Sequence, residues 1–139
     1  MIYEINFSNF MSNLNHFMKE KNKNSNSKKL SDLIAKSMKD KKGEEISVIN
    51  LIGIKNSICD YFVICSGNSN IQIDSISENI EKKVFKNLKE KPWQKEGEIN
   101  KEWLILDFVN VVAHIFHKEK RYHYNLDNLW SDGSNLIEK

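Results

Sequence analysis

Groups able to do chemistry are sparse in this chain, and few stand at spacings that a reaction would use. Asp60 and Asp107 are candidates for a carboxylate pair, the arrangement that general acid–base work requires. Each is isolated in sequence at the end of an apolar run, where capping a turn or ordering a loop is the simpler role. His114 and His117 could ligate a metal, but on a strand a spacing of three sends the rings to opposite faces. Adding His123 gives no recognised ligand spacing, so no zinc site is expected. Ser66-Gly67-Asn68-Ser69 leaves an apolar run and opens a helical pattern, as a phosphate-cradling turn does. The Gly-Lys-Ser/Thr ending of a P-loop is missing. Nucleotidyltransferases follow a similar glycine-serine turn with closely spaced aspartates for metal, and none follows here. Cys65 or Ser66 would need an adjacent base to act as nucleophile, and the sequence supplies none.

The two cysteines, Cys59 and Cys65, flank an expected strand. They would stand roughly 20 Å apart at ~3.3 Å per residue, too far for a disulfide. Buried thiols in a reducing compartment are the expectation. Aromatic residues concentrate late in the chain instead. Trp103, Phe116, Tyr122, Tyr124 and Trp130 fall within 28 residues, interleaved with His114, His117 and Arg121, the only arginine. Aromatics and arginine anchor protein interfaces because they bury much area with few rotors lost. A core built of large rings is the competing account, preferred for Phe116. An exposed aromatic patch would also suit a homodimer.

The elements that must position these residues follow from periodicity. Tyr3, Phe7, Phe10, Met11, Leu14, Phe17 and Met18 form one helical apolar stripe. This is either an arm that docks elsewhere or an extra helix. Residues 1–29 are thus an amphipathic arm followed by a polar linker, Lys21–Lys29, and residues 30–139 are the folded domain. Leu30, Leu33, Ile34 and Met38 trace a helix stopped by Gly43. Glu45–Ile54 alternates as a strand, and Asp60–Cys65, apolar on both faces, is a central one. Ile71–Leu88 is a long helix that ends before Pro92, the only proline. Trp103–Phe108 and Val111–His117 are antiparallel strands joined at Val109-Asn110, a turn without its preferred glycine. A short helix covers Asn125–Trp130. The order helix, strand, strand, helix and three strands implies an α/β fold, a mixed β-sheet sandwiched with helices.

Composition removes other classes. A chain of 139 residues, 40% hydrophobic and 29% charged, is ordinary for one globular domain. Its longest apolar runs are too short to cross a bilayer. The net charge is +2. Residues 1–29 carry five Lys and two Glu, which leaves 16 basic and 17 acidic groups in residues 30–139. On that average the domain lacks the basic stripe of a nucleic-acid binder. Glu4 and Glu20, with no arginine and no continuous apolar core in residues 1–20, argue against a targeting segment and for a bacterial cytoplasm.

Four segments together resemble one family. They are Asp60–Gly67 (DYFVICSG), Glu96-Gly97 followed by Trp103–Phe108 (WLILDF), Val111–Phe116 (VVAHIF) and Tyr124–Trp130 (YNLDNLW). Their order and spacing over about residues 30–133 resemble the ribosomal silencing factor, or Iojap-like, family. The resemblance implies a nucleotidyltransferase-like fold without the catalytic carboxylates, no enzymatic activity and no cofactor or metal. It also implies a translational repressor that binds the large ribosomal subunit through a ribosomal protein of the L-fourteen family and blocks joining of the small subunit when nutrients are scarce. Contact with rRNA would be secondary. An assembly factor for the same subunit is the alternative, a nucleotidyltransferase-like enzyme a more distant one. The positions that match the family's sheet-side signature are Trp103, Asp107, His114, Tyr122, Tyr124 and Trp130. Trp103 and the tyrosines would supply apolar contact, and Asp107 would meet a basic group on the partner. Departures from the family pattern are Ile71-Gln72, where many relatives carry a basic or histidine pair, and Val109-Asn110 in place of Gly-Asp.

Overall fold

The structure, a computed structural model, describes residues 27–129 and 134–137. Trp130 and the stripe of residues 1–20 lie outside them. Helix α1 (Ser27–Asp40) buries Leu30, Ile34 and Met38 on one stripe, so the last three residues of the expected linker are helical. Its end differs slightly from expectation. Lys42 takes the left-handed conformation, and the Gly43 N–H then reaches back to the Met38 carbonyl at 2.9 Å, closing the last turn. Helix α2 (Asn70–Leu88) buries Ile73, Ile76, Ile80 and Val84. The two helices are tied by the buried Asn79 amide, which donates to the Ser37 carbonyl at 2.9 Å.

The strands are β1 (Glu44–Asn50), β2 (Tyr61–Gly67), β3 (Gln94–Glu96), β4 (Trp103–Asp107), β5 (Val111–His117) and β6 (Ser134–Ile137). They form one mixed sheet in the order β3-β4-β5-β2-β1-β6. The central pair β2 and β5 is parallel and the other pairs are antiparallel. Helix α2 lies in the crossover that makes β2 and β5 parallel, as such a connection requires. Strand β2 is buried at every position, as its apolar run predicts. Neither β3 nor β6 has the apolar alternation that would announce a strand.

The sheet separates two apolar clusters. On one side Val63, Cys65, Leu104, Leu106, Val111, Ala113 and Ile115 pack with the stripes of α1 and α2. On the other, Phe62, Ile64, Trp103, Ile105, Val112 and Phe116 pack with Leu51, Ile58 and Leu126. The covers differ. The second side meets the 51–59 segment and two helical turns, α3 (Arg121–Tyr124) and α4 (Leu126–Leu129). Most residues singled out by sequence lie on this thinly covered side.

The β4–β5 turn explains itself. Val109 has φ +76°, and the Asn110 N–H bonds the Phe108 carbonyl at 3.0 Å. This is a γ-turn centred on a β-branched residue, a strained choice. Two contacts hold it. The Val109 N–H donates to Asp107 Oδ1 at 2.7 Å, and the Val109 side chain is buried in the second cluster. A glycine would have relieved the strain and forfeited the burial.

Candidate functional site

Trp103 stands opposite Phe116 and one pair diagonal from His114, which faces Ile105. Alternation along both strands therefore brings the three rings onto one face. Trp103 stacks on Phe116 with centroids 5.1 Å apart and meets Tyr124 at 4.9 Å. Its indole N–H donates to His114 Nδ1 at 2.9 Å, and the His114 imidazole sits edge-on to Phe62 at 4.6 Å. Accepting at Nδ1 fixes the neutral tautomer with the proton on Nε2, which has no hydrogen-bond partner among the described residues. Burial, reinforced by the Arg121 charge, pushes the His114 pKa down to about 3, so this ring is neutral at any physiological pH.

Exposure sorts the six residues expected from sequence. Tyr122 is 71% exposed and Tyr124 is half-buried. Trp103 is 5% exposed, and Asp107 and His114 have no accessible surface. The direct contact with a partner expected of Asp107 gives way to a structural one. Its carboxylate holds the strained Val109 amide, and its backbone carbonyl accepts the Trp93 N–H at 2.7 Å. Trp103 and His114 are likewise supports beneath the surface. Trp130 lies outside the described residues.

What stands at the surface is aromatic and acidic. The Tyr122 hydroxyl donates to Glu45 Oε1 at 2.8 Å, which raises the phenol pKa. The Tyr124 hydroxyl donates to Glu102 Oε1 at 3.3 Å. Both tyrosines sit on α3, which Arg121 clamps to the sheet. Its guanidinium pairs with Asp127 at 3.0 Å and donates to the Glu45 carbonyl at 2.7 Å, to Ser66 Oγ at 3.0 Å and to Ser47 Oγ at 3.3 Å. The Glu45 carbonyl is within reach because β1 is bulged between Glu44 and Ser47, with Glu45 at φ +50°. The only arginine is thus buried structure, a role its place among the late aromatics did not suggest.

The Ser66–Ser69 turn is occupied by its own side chains. Ser69 caps α2 by accepting the Gln72 N–H at 3.1 Å, and Gln72 Oε1 accepts the Asn68 N–H at 2.6 Å. Gln72 also donates to the Lys41 and Lys42 carbonyls. Two of the amides that would cradle a phosphate, those of Asn68 and Gln72, are therefore already bonded, and Ser66 Oγ serves Arg121. Burial pushes the Cys65 thiol up to about 12 and raises Cys59 too, which leaves both as inert thiols. Among the described residues no cluster of three His, Cys, Asp or Glu could hold a metal ion. No described helix is long and apolar enough to cross a membrane.

Residues 24–139 match the family model described as "Ribosomal silencing factor during starvation". The chain belongs to the ribosomal silencing factor family. It is 38% identical over 103 residues to the ribosomal silencing factor RsfS of Halalkalibacterium halodurans, covering 74% of this chain and 86% of that one. It is 31% identical over 103 residues to the mouse protein named mitochondrial assembly of ribosomal large subunit protein 1, covering 72% of this chain and 44% of that one. A crystal structure from Chromobacterium violaceum shares the fold with a TM-score of 0.71 at 23% identity, over 77% of this chain and 88% of that one. The silencing-factor fold here is a mixed α/β sheet whose thinly covered side carries the aromatic cluster.

Proposed function

We propose that this protein is a translational repressor that acts in the bacterial cytoplasm, without catalysis. It binds the large ribosomal subunit through a ribosomal protein of the L-fourteen family and occupies space that the small subunit needs. The observation that carries this reading is the exposed Tyr122 on α3. It stands on the same helical turn as Tyr124, which packs on Trp103 and Phe116. The Tyr122 hydroxyl bonds Glu45 and the Tyr124 hydroxyl bonds Glu102. A rigid aromatic anchor with acidic neighbours suits a protein partner rich in lysine and arginine. Repression then needs no bond to break. A factor bound only to the free large subunit withdraws it from joining by mass action.

The experiment is cosedimentation with separated subunits on a sucrose gradient, followed by mixing of both subunits. Wild type should migrate with the large subunit and reduce joined ribosomes. Tyr122→Ala should weaken binding by roughly tenfold or more while leaving the fold intact. Absence of binding to either subunit would overturn the proposal. The mouse relative's name supports a second reading, an assembly factor. Binding with no effect on joining would favour it. Self-association through the same face would appear as a concentration-dependent dimer that Tyr122→Ala dissociates.

A further inference from the structure

Folding distributes charge in a way that the average over residues 30–139 hides. Residues 82–93 hold five lysines, Lys82, Lys83, Lys86, Lys89 and Lys91, against Glu90 alone. None of the five has an ion-pair partner among the described residues. Two large rings are exposed in the same stretch, Phe85 at 46% and Trp93 at 43%. The Lys89 and Lys91 ammonium groups lie 5.6 and 5.4 Å from the Phe85 ring centre, within cation–π range. Beside them a groove of about 270 Å³ runs between α1 and α2, lined by Lys36, Ser37, Asp40, Lys83, Lys86 and Asn87.

We infer that this end of α2 is a binding surface for single-stranded RNA, with the lysines on the phosphate backbone and Phe85 and Trp93 as stacking faces for bases. Lysines that track a backbone beside aromatic platforms are how single strands are held without sequence readout. Three lysines line the groove, Lys36, Lys83 and Lys86, against one carboxylate, Asp40, which pairs with Lys36 at 3.9 Å. Lys83 and Lys86 are left for a phosphate. A bilayer surface fits less well, because the groove is concave and the two rings are set among polar side chains rather than along an apolar stripe. The surface lies on α2, which packs on the first side of the sheet, whereas Tyr122 is on α3, whose Tyr124 packs on the second, so it makes contact with a second class of partner.

The test is fluorescence anisotropy with a labelled oligouridylate of about 15 nucleotides and the full chain at low salt. Wild type should bind. Replacing Lys86, Lys89 and Lys91 together with Gln should weaken binding at least tenfold and lower the slope of log affinity against log salt by about 2. Phe85→Ala should weaken binding several-fold, and Tyr122→Ala should leave it unchanged. These side chains are exposed, so thermal melts of the variants should match wild type. No binding by wild type would overturn the inference. So would indifference to the lysine and Phe85 changes, equal affinity for a duplex of the same length, or capture by phosphatidylserine vesicles in preference to the oligonucleotide.

Discussion

The Trp103 indole N–H donates to His114 Nδ1 across neighbouring strands at 2.9 Å, and this bond makes a histidine into a neutral core residue. Satisfying Nδ1 by a donor means that the ring can gain charge only by losing that bond and ionising in an apolar interior.

Stability should therefore fall in acid through His114. The unfolded imidazole takes its proton near the ordinary value of about 6.5, whereas the folded one resists until about 3. Between those values the unfolded state binds more protons, so stability rises with pH. The contribution is intact above about pH 6.5 and is lost as pH falls toward 3, on the order of 5 kcal/mol in all. Urea titrations across this range should show the slope, and His114→Phe should flatten it.

Trp103→Phe keeps a ring on Phe116 and Tyr124 but leaves His114 Nδ1 buried and unbonded. We expect a loss of about 1–3 kcal/mol in urea denaturation, with the fold retained. Trp103→Ala would remove the packing as well and cost about 3–5 kcal/mol. Lost ribosome binding by that variant would report on the support rather than on a contact.

Gly97 adopts φ +85°, and a Cβ there would stand 1.9 Å from the Trp103 carbonyl oxygen. The turn into β4 has no room for any side chain. Gly97→Ala should destabilise by roughly 2–4 kcal/mol, read as a lower midpoint in thermal or urea unfolding.

Arg121→Lys preserves the charge and loses the fork that reaches Asp127, Glu45, Ser66 and Ser47 together. A loss of about 3 kcal/mol is expected, nearly insensitive to salt because the arginine is buried. Chemical denaturation at low and high ionic strength checks both points.

The parts of this fold legible in the sequence are those with a strong period or a long apolar run. The Ile73, Ile76, Ile80 and Val84 stripe of α2 and the continuous run of β2 both stand where they were expected. Strand β3 is three polar residues, and its partner β4 alone makes it a strand. Nothing local encodes that. The Val109 turn was obscure for a related reason, since Asp107 and the second apolar cluster hold a conformation that valine disfavours.

At the site, residue type was readable and depth was not. Trp103, Asp107 and His114 share one face of the sheet, but burial depends on what covers that face, and strand alternation is silent about it. The lysine and ring pattern of residues 82–93 was present in the sequence all along. The near-neutral average over the domain hides it, and the spacing of Lys82, Lys86 and Lys89 around Phe85 reveals it.

The single arginine has a practical corollary. An arginine-selective dicarbonyl such as phenylglyoxal finds one arginine in this protein, and that guanidinium is enclosed by α4, β1 and β2. Its labelling rate is therefore a clock for detachment of the segment that carries Tyr122. A partner that grips the closed segment slows the clock, and one that must pry it open quickens it.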